Sequence, residues 1–176
     1  MDSSVANSPV QDDGLDLWGE TTTTQCLRLA LATGAYAIDI SNVREILEVG
    51  AMTVMPQTPP LVRGVINMRG MVVPVIDLNA RFGGLPSTVS KRSCIVVTDL
   101  ANEERASKHV VGILVDSVYE VLEVDSTDIE PVPQLGTRVP PEFLRGMMRV
   151  RGQICPLLDL HHAVGVETLT NLIAET

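Results

Sequence analysis

Aromatic side chains are scarce: one Trp, two Tyr and two Phe make up 3% of 176 residues. A core without rings must be filled by Val, Ile and Leu, and the β-branched members of that set pack best on a pleated sheet. Only three cysteines occur, Cys26, Cys94 and Cys155, far apart and with no CxxC spacing. That excludes a disulfide framework and reads as reduced thiols acting as small apolar side chains. Two of the three histidines, His161 and His162, are adjacent, so on a helix they point apart and cannot share a metal. No apolar run approaches the roughly 20 residues of a membrane span. The N-terminus has no charged segment followed by an apolar one, so it is not read as a secretory signal. P-loop, GxGxxG, GxSxG and HExxH motifs are all missing. No metal or cofactor is expected.

Basic charge is also short. The formal net charge is −9. Residues 1–20 carry Asp2, Asp12, Asp13, Asp16 and Glu20 and no Lys or Arg, which leaves 17 acidic against 13 basic residues for the rest. An acidic body argues against nucleic acid, which needs a basic footprint, and no polybasic run suggests a lipid surface. Residues 1–24, polar and ending in TTTT, read as a flexible acidic tail. Leu17 and Trp18 are its apolar exception; they either dock on the body or belong to a loose arm.

What is present is said twice. Residues 61–83, LVRGVINMRGMVVPVIDLNARFG, align without a gap on residues 143–165, FLRGMMRVRGQICPLLDLHHAVG. They share Arg63/Arg145, Gly64/Gly146, Arg69/Arg151, Gly70/Gly152, Pro74/Pro156, Asp77/Asp159, Leu78/Leu160 and Gly83/Gly165. Upstream, residues 36–49 align on 111–124 with Ile38/Ile113, Val43/Val118, Glu45/Glu120, Leu47/Leu122, Glu48/Glu123 and Val49/Val124 identical. The shared positions set backbone geometry, so one structural unit occurs twice. Two packed sub-barrels follow, at about 25–93 and 94–165, with a seam between them.

The punctuation predicts short strands over Cys26–Ala32, Tyr36–Ile40, Val43–Val49, Val65–Asn67, Met71–Ile76, Cys94–Thr98, His109–Val115, Val118–Val124, Met147–Val150 and Gln153–Leu158. The last two of the first copy meet across Met68-Arg69-Gly70, a hairpin signal. His109–Val115 and Val118–Val124 are expected to pair around Asp116-Ser117. Residues 55–64, MPQTPPLVRG, and 99–108 read as loops. Asp77 and Asp159 each suit the N-cap of a short helix, and Leu169, Leu172 and Ile173 predict a closing helix over 167–174. The class is mainly β, a barrel protein.

Asp77 and Asp159 invite a catalytic-pair reading, but caps fit them better. In residues 118–124 the parity puts Tyr119, Val121 and Glu123 on the side away from Val118, Leu122 and Val124. Val121, matched by Ile46 in the first copy, is either an ordinary exposed apolar residue or part of a small patch rimmed by charge. Arg69 and Arg151, at hairpin tips, are either solvated or partner contacts.

Residues 63–83, RGVINMRGMVVPVIDLNARFG, closely resemble the signature hairpin of the CheW family of bacterial chemotaxis coupling proteins. YAIDISNVREILEV and MPQTPPLVRG upstream, and VVGILVDSVYEVLEV and IEPVP in the second half, also look like that family. The resemblance implies two intertwined five-stranded SH3-like β-barrels over 25–176, with short helices and a C-terminal helix. It implies no enzymatic activity, no cofactor, and a cytoplasmic adaptor recruited to membrane-bound receptor arrays. The implied partners are the cytoplasmic tip of a methyl-accepting chemoreceptor and the regulatory domain of a CheA-type histidine kinase. By matching motif positions the receptor-binding candidates are Val43, Glu45, Gly64, Arg69 and Val121; kinase-binding residues are not placed. The second copy is more like the first than the family leads one to expect, and the acidic tail is longer. A type IV pilus or surface-sensing pathway on the same scaffold is therefore a second reading. A detached input domain of a larger kinase, a small hydrolase using the two Asp residues and a plain structural β-protein are further alternatives.

Overall fold

A computed structural model describes residues 22–102, 107–134 and 136–165. Most of the acidic tail and the expected helix over 167–174 lie outside them. Ten strands run in chain order: β1 (Thr23–Leu31), β2 (Gly34–Asp39), β3 (Val43–Glu48), β4 (Val62–Met68), β5 (Met71–Asp77), β6 (Cys94–Asn102), β7 (Ser107–Val115), β8 (Ser117–Asp125), β9 (Leu144–Val150) and β10 (Gln153–Leu158). Two short helices, α1 (Leu78–Arg81) and α2 (Leu160–Val164), follow β5 and β10. Among the described residues no helix is long and apolar enough to cross a membrane.

The strands form two five-stranded sheets, ordered β8-β1-β2-β10-β9 and β3-β6-β7-β5-β4. Under the repeat, β8 corresponds to β3, β1 to β6, β2 to β7, β10 to β5 and β9 to β4, so the two orders are the same. The expected sub-barrels at 25–93 and 94–165 are corrected by this topology. Each barrel takes its first hairpin from one half of the chain and its other three strands from the other half. The chain crosses over at the 3-10 turn Ile40–Asn42, where Asp39 caps the Ser41 N–H, and again at Asp116, whose N–H donates to Ala30 O. For the same reason β7 and β8 do not pair with each other: β7 lies between β6 and β5, and β8 lies beside β1.

Three further differences share a cause, which is that pairing partners extend strands past polar sequence. β1 starts at Thr23, inside the expected tail, because Thr23 and Thr24 pair with Asp125 and Val124. β4 starts at Val62, inside the proline loop, where it meets Ile76. β6 and β7 continue through the charged stretch to the Asn102↔Ser107 pair.

Each sheet closes on itself through one extra antiparallel bridge. Past β3 the chain bends so that Thr53 and Val65 exchange two hydrogen bonds of 2.9 and 2.8 Å. Past β8, Glu130 and Met147 do the same at 2.8 Å each. The duplicated Arg-Gly steps explain themselves here. A Cβ on Gly64 (φ +153°) would sit 2.5 Å from Thr53 O, and one on Gly146 would sit 2.5 Å from a methyl of Ile129.

Closure creates three apolar compartments. Met68, Val73, Val75, Ile95, Val97 and Leu114 fill one barrel, while Cys26, Ala37, Met148, Cys155 and Leu157 fill the other. The largest cluster lies between the barrels and includes Leu27, Leu29, Ile38, Ile76, Val96, Ile113, Phe143 and Leu158. Alternation along β6 sends Ile95 and Val97 inward and Val96 into the shared layer, so the strand is buried on both faces. Cys26 and Cys155 are free thiols inside a barrel, and burial pushes Cys26 up to about 11 and raises Cys155 as well. They fill space and are not nucleophiles.

The helices clamp the shared layer. Arg81 Nε donates to Ala163 O at 2.8 Å, the Arg81 guanidinium sits 4.9 Å from the centre of the Phe143 ring, and Phe82 stacks on Phe143 at 5.5 Å. Asp77 is fully buried and caps α1 by accepting from Asn79 N; it also accepts from Ser87 N, Ser87 Oγ and Arg63.

Gly64→Ala should lower the unfolding free energy by about 2 kcal/mol through overpacking at the bridge and the left-handed backbone it needs. Gly50→Ala, where a Cβ meets nothing within 4 Å, should change it by less than about 0.5 kcal/mol. Urea denaturation of the two variants distinguishes these outcomes.

Candidate binding surface

β3 and β8 are the corresponding edge strands of the two sheets. Both alternate between half-buried and exposed residues. Directly paired residues of antiparallel strands project to the same face. Ile46 is paired with Val96, and Val121 with Leu27. Val96 and Leu27 both belong to the layer between the barrels. Ile46 (43% exposed) and Val121 (52% exposed) therefore lie on the rim of the seam, each beside the shared core but uncovered. Tyr119, also exposed, lies two residues before Val121, where the register of β8 against β1 shifts.

The glutamates between them face the barrels. Leu47 and Leu122 pair with Ile95 and Cys26, which are barrel-interior residues, and Glu45 and Glu120 share their parity. Each glutamate reaches a hairpin-tip arginine. Arg69 Nη1 lies 2.8 Å from Glu45 Oε1, and Arg151 Nη2 lies 3.1 Å from Glu120 Oε1. These pairs join the first edge strand of each sheet to the hairpin at its opposite end, across the barrel mouth.

The hairpin tips are two-residue turns with positive φ at both positions: Arg69 54° and Gly70 85°, Arg151 50° and Gly152 81°. This is the type I′ geometry, for which Asn-Gly is the usual sequence. An Arg in the left-handed region costs of order 1 kcal/mol or more. Asn67 Oδ1 accepts from Gly70 N at 3.0 Å and braces the first turn. The same strained, exposed arginine recurs at both tips.

The two mouths differ. The register shift between Leu27 and Leu29 sets two residues of β8, Tyr119 and Glu120, opposite Arg28, whose Nη1 lies 3.1 Å from Glu120 Oε2. The Arg28 guanidinium also lies 4.3 Å from the centre of the Tyr119 ring. Glu120 thus serves two arginines, whereas Glu45 serves Arg69. The Glu120 carboxyl is held below its ordinary range first by the Arg28 hydrogen bond; burial opposes it, and the Arg151 hydrogen bond and the charges of both arginines restore the lowering.

Of the five candidates, the structure joins Glu45 and Arg69 directly. Val43 lies on the same strand, half-buried against the shared core, with a register shift between it and Glu45. Gly64 is buried and serves barrel closure; it presents no side chain to a partner. Val121 belongs to the other barrel. The Arg28–Glu120–Arg151 cluster escaped the sequence reading, although Glu120 and Arg151 recur in step with Glu45 and Arg69. Arg28 left no such signal, because a bulge places it.

Asp159 differs from Asp77 in its partners. Its carboxyl accepts from His162 N and lies 2.8 Å from His162 Nδ1. Burial would raise this carboxyl, but the His162 ring and backbone N–H outweigh it and hold it below the usual range. Both aspartates are occupied as caps, which leaves the catalytic-pair reading without support.

Because Glu120 is depressed in the fold, its contribution to stability is present above the unfolded pKa and is lost as pH falls through the folded one. Arg28→Ala should raise the Glu120 titration midpoint more than Arg151→Ala does. A carboxyl-carbon NMR titration reads both midpoints.

A CheW-like domain model matches residues 25–167. The probable chemotaxis protein CheW of Rhizobium etli is 35% identical over 125 residues, covering 71% of this chain and 77% of its own length. The chemotaxis protein CheW of Klebsiella aerogenes is 30% identical over 153 residues, covering 87% and 89%. The crystal structure of the scaffolding protein TtCheW from Thermoanaerobacter tengcongensis superposes with a TM-score of 0.72 at 30% identity, covering 82% of this chain and 89% of that one. The doubled barrel, its exchanged hairpins and these likenesses agree: the chain belongs to the CheW family of chemotaxis coupling proteins.

Proposed function

We propose that the chain is a passive connector that holds the cytoplasmic tip of a methyl-accepting chemoreceptor at the seam and the regulatory domain of a CheA-type kinase on another surface, altering no covalent bond. The observation that carries this is the rim of the seam. Two corresponding edge strands each present an uncovered apolar residue, Ile46 and Val121, beside a buried layer and next to an arginine-glutamate pair. Apolar centres bordered by charge suit protein partners, and Arg is enriched where binding energy concentrates.

In this reading Arg69 and Val121 touch the receptor. Glu45 orients Arg69, Val43 supports the strand from the core side, and Gly64 keeps the barrel closed so that the strand is in place. Rigid packing on both faces of the central strands lets the body transmit a change in one partner's position to the other. The site of action is the cytoplasm, at receptor arrays. The matched relatives are named as chemotaxis proteins, which favours this pathway over a pilus or surface-sensing one.

Arg69→Ala breaks one exposed ion pair and should cost less than about 1 kcal/mol of stability. Arg69→Ala and Val121→Lys should each weaken receptor association more than about tenfold while leaving the fold intact. Co-sedimentation with receptor-bearing membranes, with and without kinase, measures this. Undiminished binding by both variants removes the assignment of these residues.

A further inference from the structure

The two barrels differ in chemistry at one interior position. Val97 of β6 pairs with Gly112, and Arg28 of β1 pairs with Ala37, the residue aligned with Gly112 in the repeat. Arg28 therefore takes the place of Val97, a fully buried side chain of the first barrel's core. A cation at an apolar position loses hydration and needs compensating partners. Arg28 finds two. Its Nη1 lies 3.1 Å from Glu120 Oε2, and its guanidinium lies 4.3 Å from the centre of the Tyr119 ring. Glu120 does not serve Arg28 alone, because Arg151 Nη2 lies 3.1 Å from the other carboxylate oxygen. Among the described residues, two guanidiniums thus share one carboxylate, and the mouth carries a surplus positive charge. Arg69, by contrast, is paired one to one with Glu45.

We propose that the mouth of the second barrel accepts a carboxylate: an Asp or Glu side chain of a docked protein enters between Arg28 and Arg151, beside the Tyr119 ring. Charge complementarity selects the ligand. Each guanidinium carries more N–H donors than the one it gives to Glu120, so the pair has the capacity to hold a second carboxylate. Exposure selects a protein over a small molecule. Arg151 is 68% exposed and Tyr119 49%, so the site is an open rim. A rim suits a side chain projecting from a partner's surface, whereas small ligands are held in concave sites that enclose them. Arg and Tyr are also among the residues on which interface binding energy concentrates.

The mouth opens away from the seam. Arg28 pairs with Ala37 of the barrel interior, and Val121 pairs with Leu27 of the shared layer. Both surfaces can therefore be occupied at once, and the acidic partner is one held apart from the receptor tip. In the connector reading proposed above that partner is the kinase regulatory domain, and only this identification rests on that reading.

The first test needs no partner. An acetylated and amidated pentaglutamate peptide, added to the full chain, should shift the Nε–H resonances of Arg28 and Arg151 together; pentaglutamine should leave them in place. Glu120→Gln removes the acid that the two arginines share and should tighten pentaglutamate binding about threefold or more. A merely structural carboxylate predicts the reverse. Arg28→Val, which installs the first barrel's side chain, and Arg151→Gln, at an exposed tip, should each weaken binding about tenfold. Thermal unfolding midpoints separate loss of fold from loss of binding. Unmoved arginine resonances, an equal response to pentaglutamine, or weaker binding by Glu120→Gln each overturn the proposal. A regulatory-domain fragment of the kinase should also bind Arg151→Gln about tenfold more weakly. If the fragment binds the unaltered chain and Arg151→Gln alike, the proposal falls and the connector reading stands. If it does not bind the unaltered chain, both fall.

Discussion

The apolar layer between the barrels is the constraint on which everything else depends. Leu27, Leu29 and Ile38 come from strands of one barrel, and Ile76, Val96 and Ile113 from the other. Neither half of the sequence can complete a barrel, because each lends its first hairpin to the other's remaining strands. Burying this layer and closing both barrels are therefore one event. The same coupling makes the seam a fixed surface, because the strands that border it have no freedom to separate while the shared layer stays dry.

Around that layer, local strain and local charge are placed in matching positions. The Arg-Gly turns hold both residues at positive φ, and each arginine spans a barrel mouth to a glutamate on the opposite edge strand. Gly64 and Gly146 allow the close approaches that complete the circuits. The symmetry then breaks at the helix caps and at one barrel mouth. Arg63 joins the cap of α1, but its counterpart Arg145 lies 3.6 Å from Asp39, and His162 takes the place beside Asp159. The β8 bulge opposite Arg28 gives one mouth a second cation and an aromatic neighbour. Two similar barrels thereby present different surfaces, which a connector of two unlike proteins requires.

Much of this was readable in advance where a residue's role is local. Glycine beside arginine marked the hairpin turns, and Asp77 and Asp159 marked the caps, each of which acts within a few residues of its position. Alternation in residues 118–124 put Val121 outside and Leu122 inside, as found. Reading failed where pairing is non-local. Polar residues 99–102 look like a loop but lie in β6 because β7 runs beside them. Val115 and Ser117 look like the two sides of a hairpin but lie in different sheets. Nothing within a window of ten residues distinguishes these cases.

By itself, then, the sequence determined a duplicated all-β unit, its turn geometry, its capped helices and the outward direction of its edge residues. These follow from φ restrictions, capping chemistry and the two-residue period of a strand, all of which operate over short distances along the chain. Only the tertiary structure decided which hairpin joins which barrel, that Glu120 holds two arginines and that Val121 borders a buried seam. Those depend on contacts between residues remote in sequence, where the choice is made by how much apolar surface a pairing hides and not by the preference of any segment.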